Sequence, residues 1–365
     1  MQPIQFNSAP GRILIIKPSA LGDVVHGLPV LTRLREKWPS AKISWLVAPA
    51  FAGLLENHPL LDEVIHFDRH DYGIAWRSPA AMRRLWRFVR DLRHRQFDLV
   101  IDLQGLFRSG WLAKRTKAPM RVGFARTREL AWMFYTHRVP VDFTNDHAVT
   151  RNIAIATALG CKEGEVEFPL IGDTADEQHI QQWIPAGTRY AVVLPGTNWA
   201  TKRWPIEHFA ALVEPLQSRF NLKVITAGGP GDVDLANQIP GALNLAGKTT
   251  LKQLVALLKR ADLVIANDSG PMHIGAALIR PLVALFGPTN PTRTGPYTRE
   301  DTVLRLDINC SPCYSRTCSH QSCLRWLALQ QVLKAAEQQL QSNAGGYAQV
   351  SSEPVPVPLT INRSQ

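Results

Sequence analysis

Short apolar runs and amphipathic stretches alternate along most of the chain. Residues 12–17 (RILIIK), 42–48 (KISWLVA), 64–67 (VIHF) and 97–103 (FDLVIDL) have strand length and few polar interruptions. Between them, residues 24–37 carry apolar positions at helical spacing. Met82, Leu85, Trp86, Val89 and Leu92 recur in the same way, with arginines on the other face. The second half repeats the scheme, with strands at 190–196, 223–229, 262–268 and 281–287 and helices near 206–219 and 251–259. Runs that are apolar throughout, rather than alternating, predict parallel strands covered on both faces. Strands that alternate with helices predict doubly wound α/β sheets. The expected architecture is therefore two Rossmann-like domains facing across a cleft. The first spans residues 1–171, a linker region lies at 172–189, and the second domain spans 190–341. The Gly-, Ser- and Pro-rich end, 342–365, has no periodic face and reads as a disordered tail.

Composition narrows the class. A chain of 365 residues, 45% hydrophobic and 19% charged, has the balance of a soluble globular enzyme and room for two cores. The N-terminus lacks a basic segment followed by an apolar one, and no apolar run approaches the roughly 20 residues of a membrane-spanning helix. The expected location is cytoplasmic, with membrane contact at most peripheral. The net charge of +11 is concentrated: residues 83–128 hold thirteen Lys/Arg against Asp91, Asp98 and Asp102, a difference of +10. Such a belt suits a phosphorylated substrate, an anionic membrane surface or nucleic acid, or is simply a solvated helix face. Nucleic acid is disfavoured because Trp86 and Phe88 fall in or beside the helical core stripe instead of being interleaved on an exposed face.

Candidate chemistry lies where strands end. Residues 17–27 (KPSALGDVVHG) give a strand end, a Gly-containing turn and a helix start that present N–H groups to a cleft. There is no G-x-G-x-x-G and no P-loop pattern. Asp23 reads either as a cap of that helix or as a carboxylate able to take a proton from a hydroxyl. Residues 195–205 (PGTNWATKRWP) place small residues beside Lys202 and Arg203, a combination suited to phosphate. In NDSGPMH, Asp268, Ser269 and Gly270 join a buried strand to a helix whose free N–H groups could hold a diphosphate. Asp268 would repel a diphosphate and suits a sugar hydroxyl better, unless it is only a cap. His273 is a ligand, a general acid or a satisfied buried histidine. Cys310, Cys313, Cys318 and Cys323 are spaced for a structural zinc or iron site, for free or redox-active thiols, or for disulfides.

Five segments in order resemble glycosyltransferase family 9, the bacterial lipopolysaccharide heptosyltransferases: residues 13–39, VIDLQGLFRSG, PGTNWATKRWP, NDSGPMHIGAAL and PLVALFGPTNP. The resemblance implies a GT-B fold with the acceptor on the N-terminal domain and an ADP-heptose donor on the C-terminal one. It implies an inverting, metal-independent transfer to an inner-core sugar of lipopolysaccharide, either Kdo or the first heptose. By motif, Asp23 would be the general base and Lys202 the cation that neutralises the departing diphosphate. Thr197, Asp268, Ser269, Gly270, His273 and the loop Gly287, Pro288, Thr289 would line the donor site. Ser19, Gly22, Arg108 and Arg121 are the expected acceptor contacts. The acceptor would be an anionic lipid at the inner face of the cytoplasmic membrane, which gives the basic belt a partner. The same fold could also serve another acceptor, such as a protein or another glycan, or another nucleotide-sugar donor.

Overall fold

The computed structural model describes residues 3–68, 73 and 77–346. Six parallel strands form the first sheet: β1 (Arg12–Ile16), β2 (Lys42–Val47), β3 (Glu63–His66), β4 (Leu99–Asp102), β5 (Met120–Phe124) and β6 (His137–Val139). Six more form the second: β7 (Tyr190–Leu194), β8 (Lys223–Thr226), β9 (Leu243–Asn244), β10 (Leu263–Asn267), β11 (Leu282–Phe286) and β12 (Val303–Arg305). The longer helices are α1 (Leu21–Lys37), α2 (Pro79–His94), α3 (Phe107–Arg115), α4 (Ala148–Ala158), α5 (Thr174–Gln181), α6 (Leu251–Lys259), α7 (Gly270–Ala277) and α8 (Leu329–Gly346).

The strand orders are β3-β2-β1-β4-β5-β6 and β12-β11-β10-β7-β8-β9. Counted from its own first strand, each sheet has the same doubly wound order. The order reverses between β1 and β4 and again between β7 and β10, and ligands collect at the carboxyl ends of the strands at such switch points. Both sheets turn these ends toward one cleft.

Local sequence explains the elements. The central strands are entirely buried because both faces are covered: Ile13 to Ile16 and Leu263 to Asn267 have no exposed surface. Helix α2 starts at Ser78, whose hydroxyl accepts the Ala81 N–H, with Pro79 in its first turn. Ala81, Leu85, Val89 and Leu92 make its buried stripe, against the outer face of the first sheet. Each such aliphatic side chain contributes roughly 1.5–3 kcal/mol when fully buried. The largest core runs from β1 and α1 through α4 and α6 to β7, β10 and α7, so the two sheets share one apolar interior.

Several expectations need correction. The helical run near 206–219 is two helices, Ile206–Ala211 and Val213–Ser218, with the break just ahead of Pro215, which has no N–H to donate. The linker region contains α5, capped by the Asp173 carboxylate and packed on α6. Helix α8 continues through Gly346, past the expected start of the tail. The remaining tail residues, 347–365, lie outside the described residues. Trp86 is not in the α2 core stripe. It is 46% exposed and stacks with the Arg115 guanidinium, which also lies over Trp111. Among the described residues no helix is long and apolar enough to cross a membrane.

Candidate active site

The cleft between the sheets has a volume of about 750 Å³, and strand–turn–helix units from both domains wall it. On the first wall, β1 runs into Lys17, which is buried. Its Nζ donates to the Leu103 carbonyl at the end of β4 (2.8 Å) and lies 3.3 Å from Asp23 Oδ1. Asp23 Oδ2 accepts the Ala20 N–H at 3.0 Å, so the carboxylate does cap the opening turn of α1. Its side chain is still 42% exposed and lines the cleft. The capping and proton-accepting readings are therefore compatible. One oxygen orders the turn, and the group as a whole remains open to a ligand.

Beside it, the Ser19 N–H donates to Gln104 Oε1 at 3.4 Å, joining the β1 turn to the β4 turn. That second turn is built on Asp102, which is fully buried. Asp102 accepts the N–H groups of Gln104 and Gly105 on one oxygen and the Tyr135 hydroxyl (2.6 Å) on the other. Burial pushes the Asp102 pKa up, against these hydrogen bonds. Gly105 sits at φ +68°, where a side chain would be strained. Arg108 follows in the first turn of α3. Arg121 is a different case. It enters β5 opposite Val100, two residues short of the strand end that Asp102 marks. Its guanidinium donates to the carbonyls of Phe134 (2.9 Å) and Ala118 (2.6 Å). Arg121 fastens the chain at the end of the sheet remote from the cleft, contrary to the expected acceptor contact.

On the second wall the burial is reversed. Asp268 is only 6% exposed, and Lys202 Nζ lies 2.6 Å from its Oδ2. Thr289 donates its hydroxyl to the same oxygen at 2.5 Å, and Thr197 donates to the Asp268 carbonyl at 3.2 Å. Asn267, one residue earlier, donates to the Pro195 carbonyl and accepts the Trp204 N–H, locking the two strand-end loops together. Arg203 is occupied by the Thr197 carbonyl. Ser269 Oγ, at the cleft wall, makes no hydrogen bond among the described residues. Gly287 and Pro288 do not line the cleft. Gly287 accepts the Ser311 hydroxyl, and Pro288 accepts the N–H groups of Cys313 and Tyr314. Their carbonyls hold the cysteine-rich loop. Of that expected trio, Thr289 acts at the site, through Asp268.

The walls meet at histidines. His26 Nε2 in α1 is 3.1 Å from His273 Nδ1 in α7, and the His147 ring lies 5.2 Å from that of His26. His147 Nδ1 accepts the Val149 N–H, so its Nε2 carries the proton that is donated to the Gly295 carbonyl at 3.0 Å. Burial, reinforced by its histidine neighbours, Lys17 and Arg151, holds the His26 pKa well below the ordinary 6.5. Burial brings His273 down to about 4 even though Asp268 and Asp23 pull the other way. The close approach depends on glycine. A Cβ on Gly22 would lie 2.4 Å from the His273 ring, and one on Gly270 would lie 2.7 Å from the Leu21 Cβ. Gly22 and Gly270 thus serve the contact between α1 and α7.

The four cysteines of the C-terminal loop line one cavity of about 370 Å³ with Thr201, Pro288 and His320. All are free thiols, and burial together with the other three cysteines pushes the Cys323 pKa up. Among the described residues no group of three or more His, Cys, Asp or Glu side chains is gathered closely enough to hold a metal ion. The zinc or iron site that the spacing of Cys310, Cys313, Cys318 and Cys323 suggested therefore has no support among the described residues.

Two doubly wound domains facing one cleft, with a carboxylate on one wall and a cation on the other, give the GT-B fold. The family model of glycosyltransferase family 9 (heptosyltransferase) matches residues 85–324, and the chain belongs to that family. It is 34% identical to lipopolysaccharide heptosyltransferase 1 of Pseudomonas aeruginosa, over 85% of this chain and 88% of that one. It is 31% identical to the lipopolysaccharide core heptosyltransferase OpsX of Haemophilus influenzae, over 82% and 86% respectively. The solved Escherichia coli heptosyltransferase WaaC with ADP-2-deoxy-2-fluoro heptose superposes with a TM-score of 0.73 at 28% identity, covering 90% of this chain and 99% of that one.

Proposed function

We propose that this glycosyltransferase moves a heptosyl group from ADP-heptose to the inner core of lipopolysaccharide, with inversion at the anomeric carbon. The names of its relatives support the donor and the acceptor class. The observation that carries the mechanism is the opposition of Asp23 to the Lys202–Asp268 pair across one cleft. The acceptor hydroxyl gives its proton to Asp23 as its oxygen bonds to the anomeric carbon. The bond from that carbon to the diphosphate oxygen breaks, and its electron pair leaves with ADP. Lys202 stands where the leaving charge develops, and a donor fixed in place is most effective there. Asp268 holds Lys202 in position and reaches the ligand through it, which removes the repulsion expected of a carboxylate beside a diphosphate. Ser19, in the turn after β1, and Arg108, in the first turn of α3, are the acceptor-side contacts of this reading.

The test is product detection with ADP-heptose and two acceptors, Kdo-lipid A and its monoheptosylated form, using wild type and Asp23→Ala. Turnover of one acceptor that is lost in the variant supports reaction, position and base together. Failure of wild type on both acceptors would remove the lipopolysaccharide assignment, leaving a protein, another glycan or another donor.

The basic belt supports a second element of the reading, peripheral contact with an anionic membrane. Beside its arginines, Phe107, Leu130 and Met133 are half-exposed near α3, as is Trp86 on α2. Apolar and aromatic groups among cations suit a lipid headgroup surface. The protein should co-sediment with phosphatidylglycerol vesicles and not with purely zwitterionic ones, and Arg83→Glu/Arg87→Glu should weaken the association. Equal sedimentation with both vesicle types would count against a membrane role.

A further inference from the structure

The charges that face the cleft do not suffice for a departing diphosphate if Lys202 acts alone. The acidic side chains lining it are Asp23, Asp232 and Asp268, and the basic ones are Lys202 and Arg316. Lys202 is already paired with Asp268 at 2.6 Å. Lys17 is buried behind Asp23. Arg316 lines the cleft and forms no ion pair with a carboxylate among the described residues. It comes from the cysteine-rich loop, which the sequence suggested only as a cysteine cluster.

The loop is clamped to the donor wall in a way that brings Arg316 to Lys202. The Thr201 hydroxyl donates to the Ser315 carbonyl at 2.8 Å, joining the residue before Lys202 to the residue before Arg316. The N–H groups of Cys313 and Tyr314 donate to the Pro288 carbonyl at 3.0 and 2.8 Å, holding the loop to the end of β11. Both cations lie against Trp199. Arg316 Cζ lies 4.6 Å from its ring centroid and Lys202 Nζ lies 4.7 Å from it. One indole therefore steadies two like charges at the same lip of the cleft. A guanidinium presents its donors in a fork that matches phosphate oxygens, whereas an ammonium acts as a point charge.

We propose that the cysteine-rich loop delivers Arg316 to the diphosphate of the nucleotide-sugar donor, where it binds the departing nucleoside diphosphate as a second cation beside Lys202. The proposal rests on the reading of this cleft as a nucleoside-diphosphate-sugar site. Arg316 is exposed at the rim, so its replacement leaves the core packing untouched.

The experiment is calorimetric binding of ADP and AMP to the full chain, for wild type, Arg316→Gln and Arg316→Lys, with melting temperatures as a check on folding. A charge-assisted hydrogen bond to phosphate predicts about 10- to 100-fold weaker ADP binding in Arg316→Gln. AMP, which lacks the second phosphate, should lose much less, and Arg316→Lys should recover part of the ADP affinity. In turnover, Arg316→Gln should raise the donor KM or lower kcat while leaving the acceptor KM unchanged. A loop with a merely structural role would weaken ADP and AMP alike, and that result would overturn the proposal. So would an ADP affinity within about twofold of wild type. If wild type bound ADP and Arg316→Gln bound it equally well, this inference alone would fail. If wild type bound neither ADP, UDP nor GDP, the reading of the cleft would fail with it.

Discussion

The two walls of the cleft use the same parts in opposite order. Each is a parallel strand, a turn and a helix start, and each pairs one lysine with one aspartate. On the first wall the lysine is the buried member: Lys17 is 7% exposed and Asp23 42%. On the second the aspartate is buried deeper, with Asp268 at 6% and Lys202 at 17%. In the proposed reaction the buried partner orients and charge-balances its neighbour, and the outer partner meets the ligand. The first wall therefore offers a carboxylate and the second a cation. Burial order decides the role of each residue, since all four residue types could in principle serve either wall.

The largest effect that would sharpen this contrast is at Asp23. Replacing it with Ala should lower kcat by about 10²–10⁴, the usual contribution of a positioned base, with the donor KM little changed. A variant with a wild-type rate would dissolve the distinction between the walls. Next comes Lys202→Gln, which should cost about 10²–10³ in kcat, as expected for loss of a fixed donor at a developing charge. It should also lower the melting temperature, because Asp268 would remain buried with only Thr289 and backbone neighbours. If the variant lost stability but kept its rate, Lys202 would be a structural partner of Asp268 and nothing more.

The smallest effect concerns the contact between the walls. His273 titrates near 4 and His26 well below 6.5 in the folded protein, so the unfolded chain binds more protons than the folded one between those values. Their contribution to stability is complete above about pH 6.5 and falls as pH drops toward 4, by about 1.4 kcal/mol per pH unit for each proton taken up. Thermal unfolding followed between pH 7 and 4.5 should show this decline, and His273→Gln should flatten it. A decline of equal slope in that variant would place the responsible groups elsewhere.

Much of this was legible in the chain itself. Among the described residues eight of the twelve strands stand out as apolar runs, seven of them because strands covered on both faces are apolar throughout and edge strand β3 through its short run VIHF. β5, β6, β9 and β12 escape that criterion. Met120 and Arg121 are only partly buried, β6 and β12 lie at sheet edges, and β9 has two residues. Asp23, Lys202, Asp268 and Ser269 stood out because they sit in turns after strands among Gly and Pro, and the fold brings all four to one cleft. Lys17 lies in the same motif, yet nothing in its sequence position distinguishes a buried orienting lysine from a solvated one. Arg121 misled for the corresponding reason: a basic residue near a strand reveals its charge but not which end of the sheet it occupies. Arg316 lay among cysteines whose spacing drew attention to themselves.

The sequence by itself determined the parts of this protein: two doubly wound sheets, their cleft-facing turns and the residue types in those turns. Periodicity and turn chemistry are local, and local order needs only neighbours along the chain. The tertiary structure decided what depends on residues far apart in sequence. It set which member of each Lys–Asp pair is buried, brought His26 to His273 across 247 positions, and clamped the Arg316 loop onto the segment that carries Lys202. Desolvation and charge pairing act through space, and only the closed fold defines those distances.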